Sequence, residues 1–404
     1  MRAVILSGGK SSRFWPLNGS HKSLLEICGK PLIIRTINNL PKQVAEVIVV
    51  ESPQEEVSSV VKKYPINRHV EFRVQEKPRG MWDAILTGSE EYGDDIIVVS
   101  GHQFSPFAFE KFMTGRGTKL LLSHSSNASD YGVAEVDGSK VIGVEEKPKK
   151  PKSDLIINSI YRLGQDFVRY LKSHTSGEEY AFESALNEFL KKKPADFEVV
   201  PKEEIPSLKY SWDTLSVMER LLEEVPKKNK GTVANDVIIE GDVFIDEGAN
   251  IMSGAKIYGP AYIGKGAVIG TNSLVRQSSI EMGAVIGYGS EIVRSYVGSG
   301  TKTHHTYVGD SVLGKNVWMG FGVVTANRRF DKKQIISVVK KKKVNTGRDR
   351  FGCVVGDKSK VGVSAQLLPG ILIGSGVTVG PTTLVAKNLP DNKLIYVKQK
   401  QVLK

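Results

Sequence analysis

Short aliphatic runs and amphipathic stretches take turns through the first 222 residues: AVIL, then PLIIRTINNL, EVIVV, EEVSSVVKKY, EFRVQ, MWDAILTGSEEY, DIIVVSG, FEKFM and TKLLLSH. The runs have strand length and the stretches between them have helical period. Their alternation predicts an α/β domain built on a mostly parallel sheet with helices on both faces. The segment EEVPKKNKGT, with Pro226 and Gly231, ends this texture. From about residue 233 aliphatic residues instead recur every six positions, at Ile239, Ile245, Ile251, Ile257, Ile263, Ile269 and Val275. The phase slips by one and resumes through Ile280, Ile286 and Ile292. It is then disturbed and returns at Val355, Val361, Leu367, Ile373, Val379 and Val385. A hexad with glycine often following the aliphatic residue predicts a parallel β-helix, each short strand stacking one side chain inward and glycine permitting the corner. The stretch NRRFDKKQIISVVKKKKVNTGRDRF breaks the hexad and is predicted to protrude as a loop or hairpin. The expected organisation is an α/β domain over 1–222, a linker over 223–232 and the hexad domain over 233–404.

Composition narrows the partners. A chain of 404 residues that is 40% hydrophobic and 25% charged can bury two cores, and a net charge of +12 favours anions: nucleic acid, a membrane surface or phosphorylated metabolites. Cys28 and Cys353 stand alone and far apart, which argues against a disulfide framework or a zinc site and fits a reducing compartment. No segment has membrane-spanning length, and the apolar run Ala3 to Leu6 is too short for a signal peptide, so a cytoplasmic protein without a membrane partner is expected. The run KKKK at 340–343 has no aromatic-interleaved RNA motif or recognition helix beside it. A solvated hairpin or a contact to coenzyme phosphates is the simpler reading, and no nucleic-acid partner is expected.

The candidate chemistry begins in SGGKSSRFWPLNGSHK. Gly8 and Gly9 directly follow the first predicted strand, and open α/β sheets bind ligands at strand carboxyl ends. A turn without side chains lets backbone N–H groups approach phosphate oxygens, while Arg13 and Lys22 supply charge-assisted contacts. Taken by itself, the segment reads equally well as a glycine turn flanked by solvated basic residues.

The stretch resembles the signature loop of the sugar-1-phosphate nucleotidylyltransferases, with Gly8, Gly9, Ser12, Arg13, Pro16, Leu17 and Lys22 in the matching places and GKPLI following at Gly29–Ile33. Four more segments match in order. VQEKPRGMWDA resembles the base-binding loop and assigns Gln75 and Gly80 to the nucleotide. YGVAEVDGSKVIGVEEKP assigns Glu146 and Lys147, and INSIYRL assigns Asn158, to the sugar and its phosphate. YSWDT assigns Asp213 to a metal. The second half resembles the acetyltransferase domain of the bifunctional bacterial and archaeal enzymes that make UDP-N-acetylglucosamine, through HHTYVGDSVLGKNV, VVTAN and the late hexads. That resemblance implies a left-handed β-helix following a Rossmann-like nucleotidyltransferase domain, His304 as catalytic base, Tyr307 and Asn327 lining an amino-sugar pocket, and Lys333 near it. It further implies a sugar-1-phosphate and a nucleoside triphosphate (UTP or dTTP) as substrates, acetyl-CoA as acyl donor, Mg2+ as cofactor with Mn2+ or Co2+ as alternatives, and a homotrimer or a multiple of it.

Four positions depart from the family pattern. His102, in VVSGHQF, stands where the family carries a magnesium-binding aspartate, and imidazole suits softer metals. Met81 replaces a hydroxylated residue after Gly80. Trp318 and Phe321 replace an asparagine and a small residue in the acetyltransferase segment. Two classes therefore stay open: a catalyst, or a weakly active or inactive paralogue that binds a sugar nucleotide as a regulatory subunit.

Overall fold

The structure is a computed structural model that describes residues 1–9, 11–77, 79–90, 92–174, 180–400 and 402. The chain divides into two compact units. One comprises Met1–Lys10, Ser23–Leu25 and Pro31–Pro206; the other comprises Ser11–Lys22, Glu26–Lys30 and Ser207–Lys404. Among the described residues no helix is long and apolar enough to cross a membrane.

The first unit is built on a nine-stranded sheet. Its first four strands, in the order Val70–Val74, Glu46–Glu51, Arg2–Ser7 and Ile96–Ser100, are parallel. Residues along these strands alternate between two apolar layers, as the unbroken aliphatic runs require. Ala3, Ile5, Val47 and Val99 pack with Ile33, Ile37 and Phe109, whereas Val4, Ile48, Val50 and Val98 pack with Trp82, Ile85 and Phe182. The other half of the sheet is mixed, unlike the mostly parallel sheet expected. Leu155–Leu163 runs antiparallel to both Ile96–Ser100 and Lys119–His124. A parallel neighbour needs a crossover connection, but the chain between His124 and Leu155 folds as the hairpin Gly132–Asp137/Lys140–Glu146.

The second unit carries the left-handed β-helix, with three parallel sheets of eight, nine and eight strands. The hexad residues stack on one another: Ile239 pairs with Ile257 and Ile257 with Val275, one coil of eighteen residues each time. The coil then tightens to seventeen residues from Ile263 to Ile280 and to sixteen from Val297 to Leu313. All of these from Ile257 onward are buried in one apolar column, each fully buried aliphatic side chain contributing about 1.5–3 kcal/mol. Up to Thr325 the disturbed stretch is continuous β-helix. Its inward positions are Val297, Thr303, Val308, Leu313, Met319 and Thr325, all buried. The threonine hydroxyls are tolerated because they are hydrogen-bonded, as where the Gly309 N–H donates to Thr325 Oγ1 at 2.9 Å.

The predicted protrusion is an antiparallel hairpin, Ile336–Val339 with Lys342–Asn345. Ser337 Oγ donates to the Gly370 carbonyl at 2.8 Å, Asn388 Nδ2 donates to that of Val338 at 2.7 Å, and Ile335 is buried at its base. Residues 26–30 are tied to the coils in a similar way. The N–H groups of Cys28 and Gly29 donate to the Glu281 carboxylate at 2.9 and 3.0 Å, and burial raises that carboxyl to about 7.

Candidate functional site

In the first unit the candidate residues gather where the parallel strands end. Gly8 and Gly9 follow Arg2–Ser7, Gln75 follows Val70–Val74, and His102 follows Ile96–Ser100 and is buried. Gln75 is locked from both sides. Its N–H donates to the Glu51 carbonyl at 2.8 Å, and its amide Nε2 donates to the Gly80 carbonyl at 3.1 Å and to Asp83 Oδ2 at 2.9 Å. Its Oε1 lies 3.0 Å from where a Cβ on Gly8 would sit, so a side chain at that place in the first loop would press on Gln75. Gly80, at φ 113°, occupies a conformation that L side chains rarely adopt and opens the helix Met81–Ser89, with Met81 its first residue.

A cleft of about 400 Å³ in the same unit is lined by Glu146, Lys147, Tyr180, Glu183 and Asn187. The Lys147 ammonium pairs with the Glu146 carboxylate and lies 5.1 Å from the centre of the Tyr180 ring. Burial raises the Glu183 carboxyl above its ordinary value, and the Glu146 charge adds to this. Asn158 sits where the register of Leu155–Leu163 shifts, and its Nδ2 donates to Ser123 Oγ at 2.9 Å, which in turn donates to the Val200 carbonyl.

The basic part of the signature loop belongs to the second unit. Ser12 and Arg13 lie in the single turn Ser12–Phe14. Lys22 Nζ donates to the Leu208 carbonyl at 2.9 Å. Burial lowers its pKa to about 8, the Asp213 charge opposing that shift and the Arg13 charge adding to it. Asp213 Oδ2 accepts the N–H groups of Lys209 and Tyr210, both at 2.7 Å, yet burial still raises its carboxyl to about 6. His21 is pushed down to about 4, by burial first and by Lys22 second. Arg348 acts on Asp213 from the far side of the sequence and holds Glu219 through two contacts at 2.9 and 2.8 Å. Two cations of the loop and one further arginine thus act electrostatically around a single carboxylate, an arrangement suited to a polyanion.

Along the β-helix, Tyr307 and Asn327 are brought together, Asn327 Nδ2 donating to Tyr307 Oη at 3.2 Å. The same amide donates to Asp310, which is gripped by both arms of Arg294 at 2.6 and 2.8 Å. Arg294 and Asp310 escaped the sequence reading. Their signal is the coil length, since residues sixteen apart here stand one above the other. His304 is exposed and meets the Phe321 ring edge-on at 5.5 Å, while His305 stacks flat on Phe321 at 4.9 Å and on Tyr288 at 6.1 Å. Trp318 and Phe321 are 57% and 48% exposed, so both rings lie on the surface. Lys333 is also exposed, its backbone N–H donating to Asp331 at 3.2 Å.

Among the described residues no group of three or more His, Cys, Asp or Glu side chains is arranged to hold a metal ion. The donor set the sequence assigned, one imidazole and one carboxylate with an oxygen already committed to two N–H groups, does not fit a metal held by the protein alone. A family profile described as Nucleotidyl transferase matches residues 2–228. The chain belongs to the nucleotidyl transferase family. Its similarity to some relatives runs from end to end. The bifunctional protein GlmU of Methanococcus maripaludis (strain DSM 14266) is 32% identical over 412 residues, spanning 100% of this chain and 99% of the relative. A bifunctional sugar-1-phosphate nucleotidylyltransferase/acetyltransferase of Sulfurisphaera tokodaii is 33% identical over 96% of this chain and 98% of its own. A glucose-1-phosphate thymidylyltransferase of Streptomyces antibioticus is 25% identical over 90% of this nucleotidyl transferase and all of its own length.

Proposed function

We propose that this nucleotidyl transferase joins a sugar-1-phosphate to a nucleoside triphosphate, UTP or dTTP, releasing pyrophosphate, and that its hexad domain acetylates an amino-sugar-1-phosphate with acetyl-CoA. The observation that supports the first reaction is the electrostatic coupling of Arg13 and Lys22 with Asp213, both cations coming from the loop that resembles the family signature. A sugar-1-phosphate oxygen attacks the α-phosphorus; the new P–O bond forms as the bond to the β-phosphate bridge breaks, and pyrophosphate leaves in line. The protein's task is positioning and neutralisation of charge. Arg13 and Lys22 grip the triphosphate, and Gly8, Gly9 and Ser12 offer it backbone and hydroxyl donors. Gln75 and Gly80 hold the base, and Glu146, Lys147 and Asn158 hold the sugar and its phosphate. A magnesium ion bound with the triphosphate would supply charge neutralisation at the phosphates, and Asp213 is the residue the family resemblance assigns to it, with His102 at the other family ligand position. In the second reaction neutral His304 takes a proton from the sugar amine as it attacks the thioester carbonyl, and the coenzyme thiol departs. Tyr307, Asn327 and Lys333 hold the amino sugar.

We divide the two reactions between 1–222 and 233–404, with 223–232 joining them, in a cytoplasmic homotrimer or a multiple of it. Light scattering is expected to give three protomers or a multiple at micromolar concentration; a monomer would refute the assembly. The direct test of function incubates the protein with a panel of sugar-1-phosphates and nucleoside triphosphates, and separately with amino-sugar phosphates and acetyl-CoA, reading pyrophosphate and free thiol. Binding without either product would assign it to a sensing role.

His102 sets a third expectation. His102→Asp exchanges an imidazole for a hard oxygen donor and should raise apparent magnesium affinity in pyrophosphate release by about tenfold. The wild type should respond relatively better to manganese or cobalt, which accept imidazole. A wild type already rapid with magnesium and slowed by His102→Asp would remove His102 from the metal's surroundings.

A further inference from the structure

The hairpin inserted between the coils reaches the signature loop inside the second unit. Lys340 Nζ donates to Ser12 Oγ at 2.8 Å, one residue from Arg13. Both ends of this contact are fixed. On the loop side, Trp15 Nε1 donates to Asp391 Oδ1 at 3.0 Å, Ser375 Oγ donates to the Pro16 carbonyl at 3.2 Å, and Ser211 Oγ donates to that of Trp15 at 3.0 Å. On the hairpin side, Ile335 and Val339 are buried, Ser337 and Val338 are hydrogen-bonded to the coils, and Arg348 holds Glu219. Lys340 and Lys341 form the turn itself, both in the left-handed region at φ 48° and 64°. The tip therefore presents its lysines from a braced element.

Among the described residues their charge has no ionic partner. Lys340 to Lys343 are four consecutive cations, and among the described residues none of them forms an ion pair. Lys340 spends one of its three N–H groups on a neutral hydroxyl, which leaves two donors and a full positive charge beside the loop. Crowding like charges is unfavourable unless an anion gathers them, and a lysine on a flexible stem meets a phosphate as a point charge.

We propose that Lys340, supplied by the β-helix, is an additional phosphate-binding residue of the nucleotidyl-transfer site. This rests on the reading of Ser12, Arg13 and Lys22 as triphosphate-binding residues. The β-helix then takes part in the first reaction by completing the charge around the triphosphate.

The test measures nucleoside triphosphate affinity by calorimetry, and KM and kcat in pyrophosphate release, for the full chain and for Lys340→Ala, Lys340→Arg, Lys341→Ala and Arg13→Ala. Lys340→Ala is expected to raise Kd and KM for the triphosphate about fivefold at low salt, with a smaller change at high salt. Lys340→Arg should restore most of the affinity, Lys341→Ala should change it less than twofold, and KM for acetyl-CoA should not move. Unchanged triphosphate affinity in Lys340→Ala overturns the proposal, as does an equal loss in Lys341→Ala or a loss confined to acetyl-CoA. If Arg13→Ala is also without effect, the reading of the loop itself fails; if Arg13→Ala alone weakens binding, only the role of Lys340 does.

Discussion

Replacing Lys22 with alanine is expected to lower kcat/KM for pyrophosphate release about 10²- to 10³-fold, the scale for removing one donor aimed at charge that develops in a transition state. The structure separates this from a folding defect. Arg13 is exposed, so Arg13→Ala should impair transfer with almost no change in the melting temperature. Lys22 is anchored on the Leu208 carbonyl, so Lys22→Ala should also cost about 1 kcal/mol of stability. The pH profile supplies an independent check. Burial lowers Lys22 to about 8, so it loses its charge as pH rises through that value, and kcat/KM should fall there. The nearby Arg13 charge helps to depress it, so Arg13→Ala should move the fall to higher pH, and Lys22→Arg should abolish it. Full activity in Lys22→Ala, or a profile flat through pH 8 in the wild type, would return the loop to a solvated basic turn.

Much of this molecule was legible because its periodicities are strong. A hexad carried by Ile and Val can stack inward only as a β-helix, and Ile239, Ile257 and Val275 pair as their spacing demands. The pattern went dark from Val297 to Thr325, where the coil shortened and threonine and methionine took inward positions. A hydroxyl satisfied inside the column is invisible to a search for aliphatic residues. The reversed strand Leu155–Leu163 was equally hidden, since a buried aliphatic run looks the same in either direction. The glycines, Arg13 and Lys22 were readable as phosphate chemistry, but the setting of the basic residues was not. Trp15 meets Asp391, and Ser12 meets Lys340, across more than three hundred residues of sequence. No local pattern encodes such contacts, and the net charge of +12 said only that anions were to be expected.

The acetyltransferase reading stands on His304, and His304→Ala is expected to reduce free-thiol release by about 10²- to 10⁴-fold, the range for losing a positioned general base. The neighbouring histidine is a natural control. His305 lies flat between the Phe321 and Tyr288 rings, and its backbone is in the left-handed region at φ 49°. It is committed to a stack, so His305→Ala should lower thiol release far less than His304→Ala. Phe321 touches both histidines, edge-on to His304 and face-on to His305. Phe321→Ala should therefore loosen the orientation of His304 and lower kcat more than it raises KM for the amino sugar. The exposure of Trp318 and Phe321 bears on the same point, because rings on the surface obstruct a site only if another surface closes over them. If the wild type releases no thiol, restoring asparagine at 318 and alanine at 321 is the informative rescue. If thiol is released and His304→Ala leaves the rate untouched, the proton must be taken by another group, and the similarity of HHTYVGD to the family segment would then reflect the β-helix corner alone.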